Sequence, residues 1–292
     1  MCIRDSFNIS YGRGFKAPDF RQLYLNFTNL AAGSYSVFGS EVAKPELDRL
    51  IALQQIDQVT PAANLLSALS PEVSGGLNVG AKWKTNKGLQ FGLNLFRNDI
   101  DNMIVTDVVA FKKNGGQIYS YFNLKSALTQ GLEFDVDKRI SKSFSVKAGY
   151  QFLYTADKEV LDQIRKGEMY KRDLTSGSSV RMKVADYGGL PLRSKHMANL
   201  KINYENANGF FATTRMIYRG RWGTFDQDGN GIINRSDEYA NGFMQINASA
   251  GFSLKKHWKI MAGVDNILNY KDVLNMPGNP GRVGYIDLQF NF

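Results

Sequence analysis

The segment FMQINASAGFSL, residues 243–254, alternates between apolar residues and polar or small residues from Met244 onwards. Its even-numbered residues, from Met244 to Leu254, are apolar, whereas the odd-numbered residues after Phe243 are polar or small. Successive side chains of a β-strand point to opposite faces, but the period of a helix would scatter the same apolar residues around a cylinder. The segment therefore predicts a strand with one apolar and one polar face.

The same alternation recurs along most of the chain. It is clearest at residues 89–95, 128–137, 144–154 and 285–292, and similar segments start near Phe7, Val73, Ala198, Phe210 and Trp258. We expect about ten strands, each close to the length that crosses a bilayer when tilted. After residue 127 the apolar side chains occupy even positions, so the even-numbered faces should turn towards lipid.

The connections between these strands alternate between short and long. Short turns lie at 85–88, 141–143, 206–209 and 255–257, and long loops at 16–71, 107–118, 157–192, 223–241 and 271–281. Short periplasmic turns and long external loops are typical of a transmembrane β-barrel. A soluble β-sandwich is the alternative, but it would not sort its connections in this way. The predicted fold class is all-β, a transmembrane antiparallel β-barrel.

Aromatic residues fall near both ends of the predicted strands, as expected where amphipathic rings meet lipid headgroups. The predicted inner girdle contains Trp83, Phe144, Phe210, Phe252, Trp258 and Phe292, and the outer girdle contains Tyr154, Tyr218 and Trp222.

Composition excludes several classes of protein. The 292 residues carry a formal charge of +9, yet the basic residues are spread over the chain without an aromatic-basic nucleic-acid motif. No apolar run approaches the roughly 18 to 20 residues of a transmembrane helix. Cys2 is the only cysteine, so an internal disulfide is excluded. Residues 1–6 lack the apolar core of a signal peptide and are expected to be a non-native leader, with 7–292 as part of a barrel.

Several stretches resemble TonB-dependent receptors of the Bacteroidetes type. They are YGRGFKAP (11–18), SPEVS (70–74) followed by LNVG (77–80), FRNDIDNMI (96–104), TQGLE (129–133), GVDNILN (263–269) and the terminal segment 281–292. The resemblance implies the carboxy-terminal, roughly ten-stranded part of a barrel of about 22 strands, with the plug and the first strands missing. An insertion at 47–69, helical around Leu47 to Val59, departs from the family pattern.

The resemblance also implies a function. Such receptors lie in the outer membrane of Gram-negative bacteria, are energised by the TonB–ExbB–ExbD complex and import a scarce small-molecule ligand. An iron–siderophore complex or haem is the expected ligand, and a SusC-like oligosaccharide or cobalamin importer is the alternative. Alternatives from other functional classes are a passive porin, an adhesin and a barrel enzyme.

The sharpest chemical motif is DQDGNGIINRSD, residues 226–237. Oxygen ligands of a calcium loop of the EF-hand kind would come from the side chains of Asp226, Asp228, Asn230, Asn234 and Asp237 and from the carbonyl of Ile232. Asp237 is shorter than the usual glutamate, and Glu238 is a possible substitute. The alternative is a polar surface loop, because Asp, Asn and Gly favour turns. We expect a structural calcium ion at the cell surface.

Arg215, Arg219 and Arg221 form a basic stripe on the polar face of one strand. The stripe suits an anionic ligand such as a ferric siderophore. The favoured alternative is a lumen in which these residues pair with the plug or with the acidic residues between 133 and 137. His196 and His257 are far apart in the topology and no serine has the context of a nucleophile, so no catalytic residue is predicted.

Overall fold

The structure is a computed structural model that describes residues 5–29, 35–173, 176–224, 226, 230, 232–254, 258–276 and 278–290. Its strands are β1 (Asp5–Lys16), β2 (Asn26–Thr28), β3 (Ser36–Phe38), β4 (Ile56–Val59), β5 (Glu72–Lys84), β6 (Leu89–Lys112), β7 (Gln117–Arg139), β8 (Phe144–Asp157), β9 (Tyr170–Arg172), β10 (Ser179–Arg181), β11 (His196–Glu205), β12 (Phe210–Arg219), β13 (Trp222–Gly223), β14 (Tyr239–Ala240), β15 (Phe243–Leu254), β16 (Trp258–Asp265) and β17 (Val283–Phe290). The α-helices are α1 (Phe20–Tyr24), α2 (Ser40–Ala52) and α3 (Lys158–Lys166), and short 3₁₀ turns lie at Pro61–Leu65, Val184–Asp186 and Ser236–Glu238.

Ten strands follow one another as hydrogen-bonded neighbours in the order β1-β5-β6-β7-β8-β11-β12-β15-β16-β17. This confirms the expected number of strands and their sequential order. Within the described residues, β1 and β17 end the series and do not pair with each other. The remaining strands lie in the long connections: β9 pairs with β10, β13 with β14, and β2 to β4 attach beside β6 and β7.

The register from β8 to β17 keeps even positions opposite even positions. Phe252, for example, lies between Phe210 and Ile260, and Met216 lies opposite Ile246. Parity is set by the pleat, because a slip of one residue would move every side chain to the other face. Leu288 is 65% exposed on this apolar face. A sandwich with this face as its core is therefore wrong.

The short turn between β11 and β12 shows why these connections are tight. The side chain of Asn206 accepts hydrogen bonds from the backbone N–H groups of Asn208 and Phe210, both at 3.0 Å. Gly209 follows with a φ of +85°, which favours glycine. The turn leaves the opposite ends of both strands to carry the long connections.

Contacts divide the chain into two units, each described by itself. The first contains Met1–Ser10, Leu77–Arg97 and Thr129–Phe292, and the second contains Tyr11–Gly76 and Asn98–Leu128.

In the first unit, the connections that follow β8 and β12 share a small apolar core. Its buried members are Ala156, Leu161, Ile164, Met182, Tyr187 and Ile232, with Tyr154 packed against them. Helix α3 begins where the Asp157 side chain accepts from the N–H groups of Glu159 and Val160, and it ends at left-handed Gly167. Because Tyr154 joins this core and Trp222 is only 3% exposed, the predicted outer girdle is wrong for both residues.

In the second unit, helix α2 packs its buried Ala43, Leu47 and Leu50 against Val109 and Ile118. The helix runs from Ser40 to Ala52, so it begins and ends earlier than the predicted helix around 47–59. Strand β4 follows it. The long loop predicted at 107–118 is instead an extension of two strands, because β6 reaches Lys112 and β7 starts at Gln117.

Across the described ranges, no α-helix combines the length and the apolar character that crossing a membrane requires.

Candidate ligand and metal sites

Four basic residues gather where β11 begins and β12 ends, and we call them the basic cluster: Arg193, Lys195, Arg219 and Arg221. The two strands are paired, with Met197 opposite Arg219, so the residues just before β11 and just after β12 lie side by side. This is the end of the hairpin that carries the long connections. The cluster therefore comes from adjacent strand ends, not from one strand face.

Aromatic rings hold two of these cations in place. The Arg219 guanidinium lies 4.1 Å from the centre of the Trp222 ring, and that of Arg221 lies 4.5 Å from the centre of the Tyr239 ring. Phe243 continues the aromatic surface, stacked on Tyr270 at 4.7 Å with an interplanar angle of 12°. Cations over aromatic faces are attracted by the ring quadrupole, so the two guanidinium groups are ordered without a carboxylate.

The basic cluster is not neutralised by ion pairs with the described residues. Within the described ranges, none of its four members has a carboxylate at ion-pair distance. Arg219 instead donates from Nε to the Ser194 hydroxyl at 3.0 Å and from Nη2 to the Leu192 carbonyl at 3.3 Å. Burial, and then the charge of Arg221, lower the pKa of Lys195. Crowded positive charge of this kind is stabilised by an anion.

A cavity of about 510 Å³ lies beside the cluster on the polar face of the strands. Arg215 and Arg219 line it together, with Glu133 and Asp135 on one side and Phe243 on the other. The structure thus brings two members of the predicted basic stripe into one cavity. Arg221 does not line it and packs on Tyr239 instead.

The acidic side of this polar face has other partners. Asp137 pairs with Lys147 at 2.6 Å, and Glu133 accepts hydrogen bonds from Gln151 at 2.9 Å and Asn94 at 3.3 Å. In the part of the chain that is described, Arg215 has no carboxylate at ion-pair distance. The expected pairing of the basic stripe with residues 133–137 is therefore wrong for these side chains.

Sequence reasoning missed Arg193, Lys195, Phe243 and Tyr270. They lie at strand ends and in connections, where alternation gives no indication of what is adjacent. The available signal was the density of basic residues immediately before β11, at positions 193 and 195, opposite those at 219 and 221.

The predicted calcium loop lies partly outside the described residues, and Asp228 is among those outside. Asn230 accepts through its side-chain oxygen from the N–H of Ile232 at 3.0 Å, and Ile232 is buried in the loop core. Asp237 forms an ion pair with Arg235 at 2.7 Å. Asn234 Oδ1 is buried and has no hydrogen-bond partner among the described residues.

Glu238, not Asp237, is the buried carboxylate of this loop. It is 0% exposed, and its Oε2 accepts from the backbone N–H groups of Asn234 at 2.7 Å and Arg235 at 2.8 Å. In the described ranges, no group of three or more His, Cys, Asp or Glu residues could hold a metal ion. The calcium site stays a prediction, and it requires Asp237 to leave Arg235.

His196 hydrogen-bonds through Nδ1 to the Tyr150 hydroxyl at 2.7 Å. His257 lies outside the described residues.

A sequential meander with one apolar exposed face and one polar face defines a wall of a large antiparallel β-barrel. The family model described as "TonB dependent receptor-like, beta-barrel" matches residues 4–267. The chain belongs to the family of TonB-dependent receptor β-barrels, and the Bacteroidetes type stays a prediction.

Solved structures of siderophore receptors share the fold. The siderophore receptor PirA from Pseudomonas aeruginosa matches 99% of this chain with a TM-score of 0.60 and 16% identity. A mutant of the ferric enterobactin receptor PfeA from the same organism matches 100% of it, with a TM-score of 0.63 and 17% identity. The ferric-catecholate import receptor Fiu from E. coli K12 matches 81%, with a TM-score of 0.53 and 18% identity.

The chain spans 39% of the length of PirA and of PfeA, and 30% of Fiu. No curated protein matches the sequence. At these identities the likeness shows the fold alone.

Proposed function

We propose that the complete protein is a TonB-dependent receptor in the outer membrane of a Gram-negative bacterium that imports an iron–siderophore complex. The observation that carries this proposal is the basic cluster, which combines four cations with ordered aromatic rings and contains no paired carboxylate among the described residues. Its partners would be the bilayer, a plug and the TonB–ExbB–ExbD complex, which supplies energy.

The chemistry of the cluster favours an anionic ligand that carries aromatic rings. Guanidinium groups bind oxyanions through charge-assisted hydrogen bonds, and rings such as Phe243 and Tyr270 stack on aromatic faces. A ferric catecholate has both features, because its deprotonated catechol oxygens leave a net negative charge around the metal. Haem shares them, whereas a neutral oligosaccharide or cobalamin offers less to four cations.

Uptake of radioactive iron by cells that produce the full-length receptor tests the proposal. A ferric catecholate should enter in a manner that depends on TonB, and Arg219→Ala should lower its affinity by about tenfold, as expected for losing one hydrogen bond to a charged group. Lys201→Ala is the matched control, since Lys201 is a cation on the same face, paired opposite Arg215, without an aromatic partner among the described residues.

The alternatives give different results in the same cells. If haem, and no siderophore, competed for uptake, the ligand would be haem. Uptake of an oligosaccharide or of cobalamin at the same rate by the Arg219→Ala variant and the unmodified receptor would contradict the siderophore proposal. Entry that continues without TonB would indicate a passive porin, and the absence of any import would favour an adhesin or a barrel enzyme.

We also propose a structural calcium ion in the loop of residues 226–237. The buried Oδ1 of Asn234 supports the proposal, because it has no hydrogen-bond partner among the described residues and a cation there would supply one. With an affinity of about 1 mM, typical of extracellular modules, 10 mM calcium should stabilise the loop by about 1.4 kcal/mol.

Hydrogen exchange in this loop, with and without calcium, is the measurement. Asp226→Ala should abolish the protection that calcium adds, and Asp162→Ala, which removes an exposed carboxylate of α3, should leave it intact. If calcium still protected the loop from hydrogen exchange in the Asp226→Ala variant, the proposed calcium site would be wrong.

A further inference from the structure

Two neighbouring short turns of the first unit, which join β5 to β6 and β7 to β8, are strongly basic. Residues 84–88 and 138–143 contain no acidic residue, and their five cations form what we call the basic rim: Lys84, Lys87, Lys138, Arg139 and Lys142. The corresponding turn between β11 and β12, residues 206–209, carries no charge. Positive charge is therefore concentrated at the strand ends that these two turns join.

Lys138 connects the two turns from the apolar face of the strands. It continues the even-numbered face of β7 after Phe134 and Val136, and its Nζ donates a hydrogen bond to the Lys87 carbonyl. This bond uses one of the three N–H donors of the ammonium group, so two remain for a ligand. The ammonium group is thereby held at the level of the turn.

Aromatic rings mark the border of the apolar face next to this ammonium group. Trp83 and Phe91 stack across β5 and β6, with ring centres 4.8 Å apart and an interplanar angle of 22°, and Trp83 is 37% exposed. Exposed tryptophan rings on the apolar face of a barrel favour the boundary between hydrocarbon and headgroups. Because Lys138 reaches a carbonyl of the turn, its ammonium group lies beyond these rings, at the depth of the lipid phosphates.

Acidic residues do not neutralise this part of the apolar face. In the described ranges neither Lys87 nor Lys138 has a carboxylate at ion-pair distance. Asp137 lies on the opposite face, where it pairs with Lys147 at 2.6 Å, and Asp5 lies on β1, three strand spacings of about 4.8 Å from β7. Two ammonium groups beside exposed aromatic rings complement the headgroup of an anionic lipid.

We propose that Lys87 and Lys138 bind the phosphate of an anionic glycerophospholipid in the periplasmic leaflet. Its acyl chains lie against Phe91, Phe134 and Val136. The proposal rests on the outer-membrane location given under the proposed function and on the periplasmic side predicted for the short turns. A zwitterionic lipid would bring its own ammonium group towards these cations, and a soluble phosphate would not need the apolar face.

Native mass spectrometry of the detergent-purified, full-length receptor tests this with phosphatidylglycerol and phosphatidylethanolamine that have the same acyl chains. The unmodified receptor should retain phosphatidylglycerol preferentially. Lys138→Gln, which keeps a donor for the Lys87 carbonyl, and Lys87→Gln should each lower its retention about fivefold and leave phosphatidylethanolamine unchanged. Lys166→Gln is the matched control, because Lys166 is an exposed cation at the end of α3, which follows the opposite end of β8.

Three outcomes would overturn the proposal: equal retention of the two lipids by the unmodified receptor, unchanged phosphatidylglycerol retention in both lysine variants, or an equal loss in Lys166→Gln. Displacement of the lipid by glycerol 3-phosphate would also overturn it, because the basic rim would then be a site for soluble phosphates.

Uptake of the ferric catecholate by cells that produce the same variants separates this proposal from the proposed function. Normal uptake by a receptor that retains both lipids equally contradicts the lipid site alone. Selective retention of phosphatidylglycerol by a receptor that imports no siderophore contradicts the siderophore function alone.

Discussion

Replacing Glu238 should open the connection between β12 and β15 while leaving the strands themselves folded. Glu238 is fully buried, and its carboxylate is the acceptor for two backbone N–H groups, those of Asn234 and Arg235. Its own carbonyl accepts from Thr224, through the N–H at 2.8 Å and the hydroxyl at 2.9 Å. The side chain thus organises the loop from its interior.

The expected magnitude follows from these contacts. Glu238→Ala leaves two donors without an acceptor, at about 1–3 kcal/mol each, and because Asn234 and Arg235 are only half-buried, water relieves part of this. A loss of about 2–3 kcal/mol raises the open population of the loop about 30- to 150-fold. Glu238→Gln keeps an acceptor oxygen and loses only the charge assistance, so it should cost about 1 kcal/mol.

Hydrogen exchange of the full-length receptor in calcium-free buffer, followed in peptides that cover residues 223–241, measures the effect. Asp237→Ala is the control, because Asp237 is a neighbouring carboxylate whose ion pair with Arg235 is half-exposed and contributes little. Similar exchange in Glu238→Ala and Asp237→Ala would refute the assignment of Glu238 as the internal acceptor.

Three further effects are expected. Gly251→Ala should lower the thermal stability of the refolded receptor by about 1–3 kcal/mol, because its Cβ would clash with the Ile260 carbonyl, whereas Gly12→Ala, with nothing within 4 Å, should not. The hydrogen bond from Lys171 lowers the pKa of Asp186 in the folded protein. The ionised Asp186 therefore stabilises this connection fully above its ordinary pKa of 3.8, and the stabilisation is lost as pH falls through the lower pKa of the folded protein. Proteolysis of this connection at graded pH should show that loss, and Lys171→Met should remove it. Phenol absorbance should show that burial raises the pKa of Tyr187 to about 12.

Strand positions were predictable because the pleat imposes a period of two on any strand with unlike faces. The alternation in 243–254 and 285–292 predicted β15 and β17, and the short connections predicted the pairs that they join, such as β15 with β16, since antiparallel strands joined by tight turns are adjacent. The pairs across long connections, such as β16 with β17, were expected from the meander typical of such a barrel.

Alternation is informative only while the ladder continues. Trp222 keeps the parity of an outward-facing residue, but β12 has ended at Arg219 and the chain has turned into the hairpin of β13 and β14. Similarly, nothing in the local pattern at 107–118 distinguishes a loop from a continuing strand, and α2 supplies the core that keeps Val109 and Ile118 paired and buried. Tertiary packing decides these segments.

The candidate sites divide in the same way. Arg215 and Arg219 lie on a regular strand, and the sequence predicted that they share a face. The rings that orient Arg219 and Arg221 come from segments whose fold depends on the long connections. In the calcium loop, spacing alone identified oxygen ligands but gave no indication that the buried carboxylate is Glu238.

The connection that holds Glu238 also holds the aromatic support of the basic cluster, which links the two sites physically. Tyr239 follows Glu238 directly and its ring lies under the Arg221 guanidinium. Thr224, which donates a hydrogen bond to the Glu238 carbonyl, directly follows strand β13, which begins at Trp222. Loosening the interior of this loop therefore releases the rings that order two cations. Because those cations have no carboxylate partner among the described residues, the rings and the loop fix the geometry in which an anion would meet them.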